Sequence, residues 1–202
     1  MWPLLGFSIL AMTLIFERGW FWLQLHQQQD RFILQVLDIY SRQPQDAIAR
    51  LRKHVQFPIA RIFLAALTLE KGTPDDFRLA LESAAQGEMP LLKRFSTVFD
   101  TIIAVAPLLG LLGTILGLME SFSSLRIGEA VGESANEVTA GIGTALVSTA
   151  TGLLIAIATL LFANLFLGLY RRQRAAIEAY SGRLELLYRQ YYRQYLSRQG
   201  RQ

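Results

Sequence analysis

Three apolar runs separated by charged, helix-patterned stretches set the layout of the chain. The longest, Ala140 to Leu169, contains no ionisable side chain, and about 20 mostly apolar residues suffice to cross a bilayer as a helix. A transmembrane helix is therefore expected over 139–170. Its small residues, Gly141, Ala145, Ser148, Gly152, Ala156, Thr159 and Ala163, recur every three or four positions and so share one helical face. A second run, 95–122, carries a matching row: Ala106, Gly110, Gly113, Gly117 and Ser121. Pro107 lies inside it, where neighbouring helices compensate for the missing backbone hydrogen bond. The remaining run opens the chain and ends near Phe16, with Glu17 and Arg18 at its boundary and Trp20, Phe21 and Trp22 as an aromatic belt. This gives a transmembrane helix over 1–24, continued by an amphipathic extension through Phe32, Val36, Ile39 and Tyr40. The opening has no basic n-region and no clear small-residue cleavage site, so it reads as a retained span rather than a signal peptide.

The stretch 25–94 is charged and helical in pattern. Pro44, Pro58 and Pro74 each suit a first helical turn, where a missing N–H costs little. Thr73-Pro74-Asp75-Asp76 supplies a capping hydroxyl, a proline and two acids, and Gly72 before it is a stop for a helix expected over Ile59 to Lys71. That helix is apolar on most sides yet too short to span, which predicts burial against other helices. Pro90 after Gly87 predicts a break or kink ahead of the second span. A connector is expected over 123–138, and a helical tail over 171–202 follows from Ile177, Tyr180, Leu184, Leu187, Tyr191 and Tyr195 at helical spacing. The fold class is all-α: an integral membrane protein with three transmembrane helices and a helical insert between the first two.

Charge fixes the orientation. The connector holds Arg126 against Glu129, Glu133 and Glu137, whereas basic residues concentrate in the insert and the tail. The positive-inside rule then places insert and tail in the cytoplasm and the amino terminus and connector in the periplasm. The formal charge of +4 is explained by this topology and by contact with the lipid bilayer, not by nucleic acid. The chain has no cysteine and two separated histidines, His26 and His54, so neither a disulfide nor a metal site is expected. No nucleophile, base and orienting group cluster, and no phosphate-cradling glycine loop appears, which argues against an enzyme and against a cofactor. Asp100 and Glu120, near the ends of the second span, are expected at the membrane interface. Thr144, Ser148, Thr149 and Thr151 place hydroxyls where hydrocarbon disfavours them, so they should face protein or water.

The strings APLLGLLGTILGLMESF and TAGIGTALVSTATGLLIAI carry a specific resemblance. The first matches the pattern APxxGLxGTxxGxxxxF at Ala106, Pro107, Gly110, Leu111, Gly113, Thr114, Gly117 and Phe122. The second matches GIxxALxxTxxGLxxAI at Gly141, Ile142, Ala145, Leu146, Thr149, Gly152, Leu153, Ala156 and Ile157. In motif order and topology the chain resembles the MotA/TolQ/ExbB proton-channel family.

The resemblance implies a homo-oligomer of the bacterial inner membrane, a pentamer whose second and third spans line a central channel around an ExbD/TolR-like single-span subunit. That partner would supply an aspartate, and a TonB/TolA-like protein would receive the motion. Carried over by position, Thr114, Thr144, Ser148 and Thr149 belong to the ion pathway. Pro107, Gly110, Gly113, Gly117, Gly141, Ala145, Gly152 and Ala156 form the packing scaffold. One position departs: Thr144 stands where ExbB and TolQ proper have a glutamate, and a hydroxyl cannot carry a proton as a carboxylate does. Flagellar stator relatives also lack that acid. Two functions are therefore in view: an ion-driven motor subunit, and a non-conducting scaffold that uses the same packing faces to assemble partners.

Overall fold

The computed structural model describes residues 2–69, 72–123 and 131–199. All regular structure among the described residues is helical: α1 (Trp2–Arg42), α2 (Pro44–Arg52), α3 (Pro58–Leu67), α4 (Pro74–Leu92), α5 (Ser96–Ser123) and α6 (Val131–Gln199). Three helical stretches, within Trp2–Arg42, Pro74–Ser123 and Thr139–Gln194, are long and apolar enough to cross a membrane. The chain divides into two units, 1–19 with 95–166, and 20–94 with 167–202.

The first unit packs the start of α1 against α5 and the first part of α6. Ala11, Ile102, Ala106 and Ala156 form its buried centre, with Phe7, Val98 and Ile155 around it. Small side chains dominate because helix association in lipid gains from close backbone approach, not from removing apolar surface from water. The outward faces carry Leu5, Ile9, Leu108, Ile115, Leu154 and Leu161, all exposed, as lipid contact requires. At the boundary, Arg18 is only 4% exposed. Its Nε donates to Glu17 Oε2 at 2.8 Å, and its guanidinium lies 5.2 Å from the centre of the Phe95 ring. Phe95 has φ 67°, a left-handed conformation uncommon for a bulky residue.

The second unit is a helical bundle with an apolar core. Ile33, Val36, Leu51, Ile59, Ile62, Phe63, Ile177 and Leu184 are fully buried, and burial of each such side chain contributes about 1.5–3 kcal/mol. α3 buries Ile59, Ala60, Ile62, Phe63 and Ala66, in keeping with its apolar sequence. Its polar exception, Arg61, reaches across to α4 and donates to both oxygens of Glu88, at 2.7 and 2.5 Å, and to the Val55 carbonyl at 2.6 Å. The hydrogen bond to Glu88 raises the Arg61 pKa above its ordinary value. At the other end of α4, Phe77 stacks on Tyr188 of α6 with ring centres 4.0 Å apart, and the Tyr188 hydroxyl donates to the Gly72 carbonyl at 2.8 Å.

α2, α3 and α4 begin at Pro44, Pro58 and Pro74, the prolines read as first-turn residues. Two local expectations are corrected. The helix expected to run to Lys71 ends at Leu67, with the Thr68 N–H closing its last turn on the Leu64 carbonyl at 3.0 Å; Glu70 and Lys71 lie outside the described residues. Pro90 does not break α4, which continues to Leu92; the chain turns at Lys93 to Phe95 instead. α6 begins at Val131, so the later part of the segment 123–138 expected as a connector is helical; 124–130 lie outside the described residues.

Thr73 caps α4 with a reciprocal pair: Asp76 N–H donates to Thr73 Oγ1 at 3.3 Å, and Thr73 N–H to Asp76 Oδ2 at 2.9 Å. Replacing Thr73 by Ala is expected to cost about 1 kcal/mol. The hydrogen bonds from Thr73, side chain first and backbone second, hold the Asp76 carboxyl below its ordinary pKa. Its contribution is therefore present above the ordinary aspartate pKa and fades as pH falls through the lowered folded-state value. Thermal melts of the protein and of Asp76→Asn should differ at neutral pH, with the variant less stable, and converge in acid.

Candidate functional site: the seam between α5 and α6

The row of small residues on α5 meets the row on α6 in antiparallel order. A methyl placed on Gly152 would lie 2.5 Å from the Ala106 carbonyl oxygen and 3.1 Å from Gly110 Cα; one on Gly110 would lie 2.9 Å from the Ser148 carbonyl oxygen and 3.0 Å from Thr149 Cα. Further along, Gly113 faces the Ser148 side chain, Gly117 faces Ala145, and Gly141 faces Ser121. The backbones touch where glycine removes the intervening side chain, as close helix pairs in lipid require. Ala156 continues the row into the buried centre with Ala106, and Pro107 sits half-buried in α5 one residue past that contact.

This close approach brings Thr114 and Thr149 side by side. Their hydroxyl oxygens are in direct contact. Thr149 Oγ1 donates to the Gly110 carbonyl at 3.1 Å, and Thr114 Oγ1 is 3.2 Å from the same oxygen and 3.3 Å from the Ala145 carbonyl. Two hydroxyl protons thus have three kinds of acceptor: the facing hydroxyl, Gly110 O and Ala145 O. Since each hydroxyl donates once, the donor in the hydroxyl contact fixes the rest. If Thr114 donates to Thr149, Thr149 donates to Gly110 O; if Thr149 donates to Thr114, Thr114 donates to Gly110 O or Ala145 O. Either leaves oxygen lone pairs able to accept from water or to coordinate a cation.

The other candidates are distributed unevenly. Ser148 is buried beside this pair, its Cβ and Oγ against Gly113. Thr144 is not brought to it: the residue is exposed, and its hydroxyl donates to the Ala140 carbonyl one turn back at 3.0 Å. Thr151 and Thr159 likewise donate to their own helix, at Val147 O and Ile155 O. Asp100 and Glu120 are both exposed. Sequence reasoning left Arg18 unassigned and overlooked Gly110 as an acceptor shared by two hydroxyls. No local signal marks the first, because its ring partner Phe95 is distant in sequence. The second was readable from Gly110 standing four residues before Thr114 on a face that must admit another helix. Among the described residues no cluster of metal-ligating side chains occurs.

Residues 54–179 match the sequence profile of the MotA/TolQ/ExbB proton channel family. The chain is 58% identical over 192 residues to ExbB-like protein 3 of Synechocystis sp., covering 95% of this chain and 91% of that protein. It is 42% identical over 193 residues to ExbB-like protein 1 of the same organism, covering 94% of this chain and 75% of that one. With the biopolymer transport protein ExbB of Aquifex aeolicus it shares 36% identity over 101 residues, 50% of this chain and 66% of that protein. The profile covers both glycine-rich motifs and the helices that carry them, and the Synechocystis likenesses extend over nearly the whole chain: it belongs to the MotA/TolQ/ExbB proton channel family.

Proposed function

We propose that this chain is the channel-forming subunit of an ion-motive-force-driven motor of the bacterial inner membrane, which energises a periplasm-spanning partner for outer-membrane transport or envelope maintenance. The observation that carries the reading is the Thr114–Thr149 hydroxyl contact, set between two carbonyl oxygens on a glycine-packed seam. In a pentameric ring α5 and α6 line the channel, and an ExbD/TolR-like single span inside it brings the titratable aspartate. The charge bias of the insert and tail orients the amino terminus to the periplasm and the carboxyl terminus to the cytoplasm. Thr114, Ser148 and Thr149 form the hydroxyl-lined part of the route; Thr144, exposed on a single chain, joins it from the side that meets the partner or a neighbouring copy. A charge at mid-membrane costs roughly 2.5–3.5 kcal/mol on insertion scales, and an ion crossing 100 mV delivers about 2.3 kcal/mol. The stroke is thus of the same size as the cost it must overcome, and hydroxyls and water around the partner's aspartate lower that cost.

The test is proton and sodium flux into liposomes holding the chain together with its single-span partner. Thr149→Val keeps the volume and removes the hydroxyl. Flux is expected to fall about tenfold, equivalent to about 1.4 kcal/mol, in complexes that still assemble, and Thr149→Ser should retain it. Flux at the wild-type rate in Thr149→Val would overturn the hydroxyl route. No flux from correctly assembled wild-type complexes would favour the non-conducting scaffold.

A further inference from the structure

α6 has no Asp, Glu, Lys or Arg from Val138 to Tyr170, yet it holds one amide there, Asn164. The residue stands seven positions before Arg171, about 10 Å inside the apolar run, and is exposed. In hydrocarbon an amide needs a hydrogen-bonding partner, and Asn164 has none among the described residues. Asp100 on α5 is likewise exposed and makes no hydrogen bond or ion pair there.

The two share one level and one flank of the helix pair. Thr114 and Thr149 touch across the antiparallel seam. Asp100 stands 14 residues before Thr114 and Asn164 15 residues after Thr149, so both lie about 21 Å or slightly more from that contact, in the same direction. The Phe99 and Phe166 rings, with centres 5.8 Å apart, mark the same level. At about 100° per residue, Asp100 is about +40° round α5 from Thr114, and Asn164 about +60° round α6 from Thr149. The seam glycines lie the other way, Gly110 and Gly117 at about −40° and −60° from Thr114 and Gly152 at about −60° from Thr149. Ile102 and Ile155, which pack with Ala11 of α1, lie further in that sense, at about −120° each. On antiparallel helices equal senses of rotation lead to the same flank, so Asp100 and Asn164 stand on the side that neither the seam nor α1 covers. Exposed Leu111, Leu153 and Ile157 share it, at about +60°, +40° and +80°.

An apolar flank with acceptors at one end fits an apolar helix that ends on a cation. The positive-inside rule puts Lys or Arg at the cytoplasmic boundary of a single-span protein. A carboxylate and an amide oxygen give an ammonium or guanidinium the acceptors it needs, whereas a lipid phosphate would meet the like charge of Asp100. We infer that Asp100 and Asn164 together seat a basic side chain at the cytoplasmic end of the single-span partner, whose apolar stretch lies on Leu111, Leu153 and Ile157. This rests on the channel reading and adds to it the chemistry that holds the partner in register, an anchor about 21 Å from the Thr114–Thr149 contact.

The chain has no cysteine, so disulfide cross-linking in membranes that hold the chain and its single-span partner tests this directly. Asp100→Cys and Asn164→Cys should each cross-link, on oxidation, to a cysteine placed at the partner's basic position on the cytoplasmic boundary. Leu165→Cys, at nearly the same depth but about 100° further round α6, should not. Asp100→Lys should lower the amount of partner recovered with the chain at least about tenfold, as like charges at an interface do, and replacing the partner's basic residue by Glu should restore it. Cross-links no stronger from Asp100→Cys and Asn164→Cys than from Leu165→Cys, where the unsubstituted complex conducts, overturn the seat and leave the channel reading standing. So do disulfides between two copies of the chain in place of those to the partner, or undiminished recovery in Asp100→Lys. A silent wild-type complex overturns the channel reading and the seat with it.

Discussion

Gly152→Val is expected to destabilise the first unit by about 3 kcal/mol or more, at the upper end of overpacking costs. The reason is what stands opposite. A single methyl at this position already meets the Ala106 carbonyl oxygen at 2.5 Å and Gly110 Cα at 3.1 Å. These are backbone atoms of another helix, which cannot rotate aside as a side chain can, so α5 and α6 must separate. Separation dismantles the Thr114–Thr149 contact as well as the packing. Gly143→Ala and Gly168→Ala are the controls, because nothing lies within 4 Å of a methyl at either position. Replacing glycine by alanine in a helix interior favours the helix by up to about 1 kcal/mol, so these two should be neutral or slightly stabilised. The measurement is the midpoint of thermal unfolding in detergent, with the yield of assembled protein as a second readout. A Gly152→Val protein that melts with the controls would mean that the seam is looser than its geometry indicates.

Phe77→Ala should cost the second unit about 3–5 kcal/mol, the usual range for removing a buried aromatic ring. Phe77 is 1% exposed and lies almost parallel to the Tyr188 ring, at 3° and 4.0 Å, a contact worth about 0.5–1.5 kcal/mol beyond the area it buries. Tyr188→Phe separates the components. It keeps the stacked ring and deletes only the hydroxyl that donates to the Gly72 carbonyl, so it should cost about 1 kcal/mol. Burial raises the Tyr188 pKa above its ordinary value, and the hydroxyl therefore remains a donor throughout the neutral range. Equal effects of the two substitutions on the unfolding midpoint would show that the hydrogen bond, not the ring, holds α6 to α4.

The elements that sequence reveals well are those whose signal is local. The apolar runs of α1, α5 and α6 follow from the cost of placing charge in hydrocarbon, and the small-residue rows follow from helical periodicity, so both can be read without knowing what faces them. The first-turn prolines at 44, 58 and 74 and the Thr73 cap are equally local. Failures came where a distant partner or a close competition decides. Pro90 signals a break, yet a helix so near its end loses little by omitting one hydrogen bond, and the actual turn falls at Phe95, whose left-handed backbone no propensity predicts. α3 ends at Leu67, ahead of the stop signal at Gly72. Among the hydroxyls, Thr114 and Thr149 share a register that brings them together, whereas Thr144 has the same chemistry one helical turn or so away and turns outward. Composition treats the three alike and the motifs include only Thr114 and Thr149, but it is the antiparallel register between α5 and α6 that brings those two into contact.

The second unit draws its core from both ends of the chain: Ile33 and Val36 are contributed by α1, Ile177 and Leu184 by α6, and the Tyr180 hydroxyl donates to Asp30 Oδ1 at 3.3 Å. This gives the order of synthesis a physical consequence. While the ribosome is still extending the chain, α1 to α4 already exist, but the surfaces that α6 will cover remain bare, and they stay so until two further apolar helices have entered the membrane and the last segment has been released. Joining residues some 150 positions apart costs only slightly more entropy than joining nearer ones, since that cost grows with the logarithm of loop length. The delay is one of time, not of stability. During it the nascent insert presents bare apolar helix faces, which makes this interval the one in which the chain most needs shielding from aggregation and proteolysis.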